Sequence, residues 1–216
     1  MYTKKTLAQA IFVLGLLLNT PTYASIIVID NFSVDQQPIK DSTADNSPIF
    51  VTNEVRTLSH NLLTFSQPPQ SAATISYGVL NISNGIGENS QVTVSWLLKS
   101  DLLFGAKSAT FDFASIKADN PTNLKFLLNN AELVKFGISA NTHKPMSFAL
   151  SSEQLLAIKG GGTLALEVNG ASGWDLSVDA ISFPTDNQAT NIPEPALMGL
   201  VGISLTALSF AHKKRS

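Results

Sequence analysis

The sequence predicts an all-β fold, an antiparallel β-sandwich, and three observations carry that prediction. Apolar residues recur at every second position over short runs, turn-forming clusters separate the runs, and between the two terminal apolar segments only one stretch reads as a helix. Short strands of this kind each bury one face. Two stacked antiparallel sheets satisfy that need and a βαβ fold does not.

The elements follow in order. Ile26-Ile27-Val28-Ile29 is a continuous β-branched run and predicts a buried first strand. Residues 35–48 are polar and rich in turn formers, so a long surface loop is expected there. Val92, Val94, Trp96 and Leu98 alternate with Thr93, Ser95 and Leu97, the pattern of a half-buried strand. Phe111 and Phe113 flank Asp112, and Leu164, Leu166 and Val168 alternate with Thr163, Ala165 and Glu167 in the same way. Turn clusters stand between the runs: Gln67-Pro68-Pro69, Ser83-Asn84-Gly85, Asn120-Pro121-Thr122, Asn129-Asn130 and Gly160-Gly161-Gly162. Residues 151–159 predict the one helix, capped by Ser151 or Ser152 and stopped by the glycines, although Leu155, Leu156 and Ile158 would also suit a strand. In the closing stretch Trp174, Leu176 and Val178 share one face while Ile181 and Phe183 fall on the other. A bulge or twist near Asp179-Ala180 would reconcile them.

Composition excludes several functions. The chain has 216 residues and no cysteine, which rules out disulfides, thiol catalysis and Cys-based zinc sites. With three histidines in all, a histidine-rich metal site is excluded as well. The formal net charge is −2. Setting aside the terminal Lys4, Lys5, Lys213, Lys214, Arg215 and Glu194 leaves nine basic and fifteen acidic residues, a body of −6. Scattered acidity argues against a nucleic-acid partner.

Both ends carry processing signals. Residues 1–24 read as a signal peptide, with Lys4 and Lys5 ahead of an apolar run over 7–18 and the small residues that signal peptidase needs before a cut between Ala24 and Ser25. At the other end Pro193, Glu194 and Pro195 form a rigid extended triplet. An uncharged apolar run over 196–211 follows, then the basic tip Lys213, Lys214 and Arg215. As a helix the run rises about 24 Å, enough to cross a bilayer once its flanks snorkel, and the tip holds the C-terminus on the cytoplasmic side. This order of parts resembles the PEP-CTERM sorting signal of Gram-negative bacteria. The resemblance implies processing near the Pro-Glu-Pro motif by an exosortase, a membrane-embedded transpeptidase. Three segments are therefore expected: signal peptide 1–24, β-sandwich body 25–190 and sorting signal 191–216. The protein would be exported, held in the inner membrane as a precursor by a single hydrophobic helix, and then released to the cell surface or beyond.

The body's two ends, 29–36 and 175–183, are its most distinctive stretches, and they resemble exported PEP-CTERM proteins and, more loosely, jelly-roll carbohydrate-binding modules. That resemblance implies first and last strands side by side, with Asp30 and Asp179 as ligands of a structural calcium. The plainer alternative is that both carboxylates cap strand ends or bond loop amides. A sugar-binding face needs exposed rings to stack on, and Trp96, Trp174, Tyr77 and Phe104 are the large rings available. Trp96 lies on an alternating strand and is expected in the core. Trp174, between Gly173 and Asp175, is the candidate ligand-binding ring.

Catalysis has little support. His60 and His143, the body's imidazoles, accompany no nucleophile motif, and no Gly-x-Ser-x-Gly, His-Glu-x-x-His or phosphate-binding loop occurs. Paired carboxylates from distant strands remain open. Two functions compete: a non-catalytic surface or extracellular-matrix protein that binds exopolysaccharide, and a secreted carbohydrate-active enzyme on the same sandwich.

Overall fold

The computed structural model describes residues 25–65 and 68–186. The signal peptide through Ala24, the Pro193-Glu194-Pro195 motif, the apolar run after it and the tip at Lys213, Lys214 and Arg215 lie outside the described residues. Among the described residues no helix is long and apolar enough to cross a membrane.

In chain order the elements are β1 (Ser25–Asp30), β2 (Gln36–Ile39), β3 (Ile49–Thr52), β4 (Thr57–Thr64), β5 (Ala72–Ser76), β6 (Val79–Ser83), β7 (Asn89–Leu98), β8 (Thr110–Ala118), β9 (Thr122–Leu128), β10 (Ala131–Ile138) and β11 (Thr142–Ala149), then α1 (Ser152–Lys159), β12 (Gly162–Gly170), β13 (Leu176–Val178) and β14 (Ile181–Thr185). They form two antiparallel sheets. In the first, β8 pairs with β11 on one edge and with β13 and β14 in tandem on the other, β6 flanks β13, β1 flanks β14, and β5 and β2 lie beyond β6. The second sheet runs β10-β9-β12-β7-β4-β3.

Between the sheets lies a core rich in phenyl rings. Phe111 stacks on Phe126 with centroids 4.0 Å apart and touches Phe183 at 4.6 Å. All three are fully buried, and burying each ring contributes roughly 1.5–3 kcal/mol. At the side where β10 and β11 face one another, Phe136 stacks on Phe148 at 3.6 Å.

The first and last strands do pair: Ser25 lies opposite Thr185 and Val28 opposite Ser182. The kink expected near Asp179-Ala180 is also present, and it is shared. Val178 pairs with Ile116 and Ile181 with Phe113, all four buried, so both strands switch faces between these pairs without losing register. Hydrogen bonds from Asp179 N to Ser115 O and from Ala114 N to Ala180 O, each 3.0 Å, hold the crossing. Register shifts continue the line outward, at Val28/Asp30 in β1 and at Lys144/Met146 in β11.

Two local expectations need correction. Ile26 and Val28 are 68% and 55% exposed, because β1 is an edge strand paired with β14 alone and only alternate residues reach the core. The expected loop over 35–48 contains β2, whose Pro38 is tolerated because an edge strand does not need every N–H. The helix forms as predicted. Ser151 Oγ accepts from Gln154 N, Gln154 Oε1 accepts from Ser151 N, and Gly160 ends the last turn.

Candidate functional site

Alternation along the closing stretch decides where its chemistry points. Trp174, Leu176 and Val178 enter the core, so Asp175, Ser177 and Asp179 face outward on the first sheet. Register then supplies their neighbours. Ser177 lies between Asn81 of β6 and Lys117 of β8, with His143 of β11 opposite Lys117. Ser177 Oγ donates to Asn81 Oδ1 at 2.7 Å. Two residue pairs further on, Asp119 Oδ1 accepts from the amides of Asp175 and Asn120, each at 2.6 Å. Together Asn81, Ser83, Lys117, Asp119, Asp175 and Ser177 line a cleft of about 280 Å³.

Burial pushes the Asp175 carboxyl above its usual range, the Asn84 N–H opposes that rise, and the charge of Asp119 adds to it. Asn84 forms the wall behind. Its N–H donates to Asp175 Oδ1 at 2.8 Å and its Nδ2 to Trp174 O at 2.6 Å. A buried chain of hydrogen bonds orients Asn84. Asp41 N donates to His60 Nδ1 at 3.2 Å, which puts the proton of the neutral ring on Nε2, 2.7 Å from Ser71 Oγ. Ser71 in turn donates to Asn84 Oδ1 at 2.8 Å. Ser71 Oγ therefore accepts a hydrogen bond from His60 Nε2 and is no activated nucleophile. Burial holds the His60 pKa below its ordinary value, against the charges of Asp41 and Glu88. The buried Glu88 carboxylate accepts from Gln70 N and Gly85 N at 2.6 and 2.7 Å, pinning the neighbouring turn.

The residues singled out in the sequence take other places. Trp174 has 0% exposure and its Nε1 donates to Asn89 Oδ1, so it offers no ring face to a sugar. The alternation with Leu176 and Val178 draws it inward. Trp96 is in the core as expected, while Tyr77 and Phe104 are 96% and 74% exposed on turns. Asp30 and Asp179 differ in burial and in partners. Asp179 is exposed, whereas Asp30 turns between the sheets onto Arg56, whose Nε reaches Oδ2 and whose Nη2 lies 2.8 Å from Oδ1. Trp96 Nε1 and Phe32 N each add a bond of 2.7 Å to that carboxylate, and the guanidinium also lies 5.5 Å from the Phe32 ring centre. The cation beside Asp30 belongs to the chain itself. Among the described residues no group of three or more His, Asp or Glu could hold a metal ion.

Sequence reasoning missed Asn81, Asn84, Lys117, Asp119 and Asp175 as one site. The usable signal was the polar set of the closing strand, at alternate positions between the apolar ones.

No protein-family model matches the chain, and no curated protein matches it. Among solved structures it is similar to a family 4 carbohydrate-binding module, at 14% identity over 58% of this chain and 86% of that one, with a TM-score of 0.39. It is also similar to a family 29 carbohydrate-binding module variant complexed with mannohexaose, at 9% identity over 80% of this chain and 99% of that one, TM-score 0.40. A family 29 module from Piromyces equi gives 10% identity over 75% and 91% of the two chains, TM-score 0.38. Likeness this distant carries no argument about ligand or chemistry, which rest on the chain's own cleft.

Proposed function

We propose that the body is a non-catalytic polysaccharide-binding protein on a jelly-roll-type sandwich, exported and sorted to the cell surface or extracellular matrix through the Pro193-Glu194-Pro195 signal. The observation that carries the binding reading is the cleft between β6, β13 and β8. Its carboxylates, amide, hydroxyls and ammonium are side chains that bond a polyhydroxylated ligand from both the donor and the acceptor side. A volume of about 280 Å³ suits one short stretch of a glycan, not a large cofactor.

Exported protein passed over immobilised exopolysaccharide from its own cells is expected to be retained. Lys117→Ala with Ser177→Ala should weaken retention about tenfold, the worth of one or two net hydrogen bonds. Unchanged retention by a folded variant would remove the cleft from the reading. Sorting is tested separately: Glu194→Ala should stay in the membrane fraction, and mature protein that still carries His212 would refute the processing step.

One observation favours the enzymatic alternative, the neighbouring Asp119 and Asp175 with one pKa raised. Their placement does not. Glycosidase carboxyls flank the scissile bond, whereas these two stand side by side, and Asp119 Oδ1 is already bonded to the amide of Asp175. Release of reducing ends in the same assay would reverse the assignment.

A further inference from the structure

The second sheet turns its own face to solvent, and register writes a pattern on it. Asn61 of β4 lies opposite Gln91 of β7, Gln91 opposite Asn169 of β12, and Asn169 opposite Asn123 of β9. The intervening residues Leu62, Val92, Val168 and Leu124 are buried in the core, so all four amides point outward. With strands about 4.8 Å apart, the row spans roughly 14 Å with one amide per strand. The row is not closed on itself. Asn123 Nδ2 reaches Asn169 Oδ1 at only 3.4 Å, while Asn61 Oδ1 is buried without a hydrogen-bond partner, so the amides open to a ligand are Gln91, Asn169 and Asn123.

The next row, Ser59-Thr93-Glu167-Lys125, is neutral because Lys125 and Glu167 form an ion pair. Phe50 of β3, opposite Ser59 and 67% exposed, puts an aromatic ring at the end of that row. Beyond it Thr52, Thr57, Ser95 and Thr163 line a hollow of about 250 Å³. Charges on this face are few and of both signs: the Lys125–Glu167 pair, Lys135 opposite Lys125, and Glu54 and Arg56 at the hollow. Evenly spaced amides and hydroxyls, such sparse charge and a ring to stack on suit a polymer that presents hydroxyls at a short regular repeat.

We propose that this face is a second binding site, for a neutral extended polysaccharide laid across the strands, and that the protein cross-links two chains through opposite faces of one sandwich. The inference rests on the polysaccharide reading of the cleft, and it adds valency. The two sites cannot merge, because two packed sheets about 10 Å apart separate them.

The test uses the exported protein with the neutral exopolysaccharide fraction of its own cells, measuring retention on the immobilised fraction and light scattering of the mixture. Parent protein should raise scattering to a maximum and then lower it as protein excess saturates single chains. Gln91→Ala with Asn169→Ala should keep its retention while scattering falls at least tenfold, and Lys117→Ala with Ser177→Ala should lose scattering as far with retention weakened about tenfold but not abolished. Combining the four changes should abolish retention. Retention without scattering by the parent overturns cross-linking and leaves the cleft standing. So does a second-face variant indistinguishable from it. No retention by the parent defeats the polysaccharide reading itself, and scattering without glycan would identify the face as a contact between protein copies. Far-UV circular dichroism confirms that each variant is folded.

Discussion

Asp30 is accommodated in the interior because Arg56, Trp96 and the Phe32 amide occupy its oxygens, and Arg56 is accommodated because Asp30 and Val34 O receive its N–H groups. A buried pair of this kind adds little beyond a well-packed apolar replacement, but breaking it from one side strands a charge. Arg56→Ala should therefore cost about 3–5 kcal/mol in urea unfolding, and Asp30→Leu with Arg56→Met much less; equal losses would mean the pair is not what matters. With Asp30 so occupied, millimolar calcium should leave the melting temperature unchanged, and a rise abolished by Asp30→Asn would show calcium displacing Arg56. The Arg56 partner lies 26 residues from Asp30 and could not be read from the sequence. His60 predicts a pH dependence. Its folded pKa is depressed below 6.5, so below that pH the unfolded chain takes up a proton that the folded chain refuses. Stability should fall as pH drops from about 6.5, by up to about 1.4 kcal/mol per unit. His60→Gln should flatten that slope, and a slope unchanged in the variant would assign it elsewhere. Asp175 acts in the opposite sense at lower pH: its raised pKa gives stability that is present below 3.8 and lost as pH rises through the folded value.

At the scale of elements, strand patterns were legible wherever alternation was strong, as in β7, β8 and β12, and the helix was legible through its cap and stop. The closing strand was legible as far as its kink. Which of its faces meets the core followed from Leu176 and Val178, and the flanking Gly173 and Asp175 obscured that for Trp174. Neighbours were not legible. β1 is an edge because of where the topology leaves it, and Asn84 meets Asp175 across 91 residues of chain. The glycines after the helix are more than a stop. Gly161 has φ +72°, and a Cβ there would lie 2.6 Å from Ser100 N, against backbone that cannot swing aside. Gly161→Ala should lower stability by roughly 1–2 kcal/mol for the left-handed conformation alone, with the clash adding to it. Thermal unfolding within a few tenths of a kcal/mol of the parent would show that the turn can relax.

The described sandwich presents a polar cleft on one sheet and an amide-lined face on the other, while its β10 and β11 edges discourage further pairing. β10 and β11 carry Lys135, Lys144 and Pro145 on exposed positions, features that blunt strand edges against self-association. The tandem β13–β14 has a mechanical consequence. Asp175 and Ser177 sit at the cleft end of that line, and Thr185 ends it beside Ser25. Tension between a ligand in the cleft and an attachment beyond Thr185 runs along the strand. The covalent backbone of 177–185, already extended, carries it, so no hydrogen bond between strands has to break. Tension between Ser25 and Thr185, which pair directly, peels the β1–β14 bonds apart singly. Single-molecule pulling from handles at 25 and 186 should accordingly give rupture at low force while handles at 177 and 186 give none, and matching ruptures in both would dismiss the load path. The strand that holds the ligand is also the one built to bear its drag.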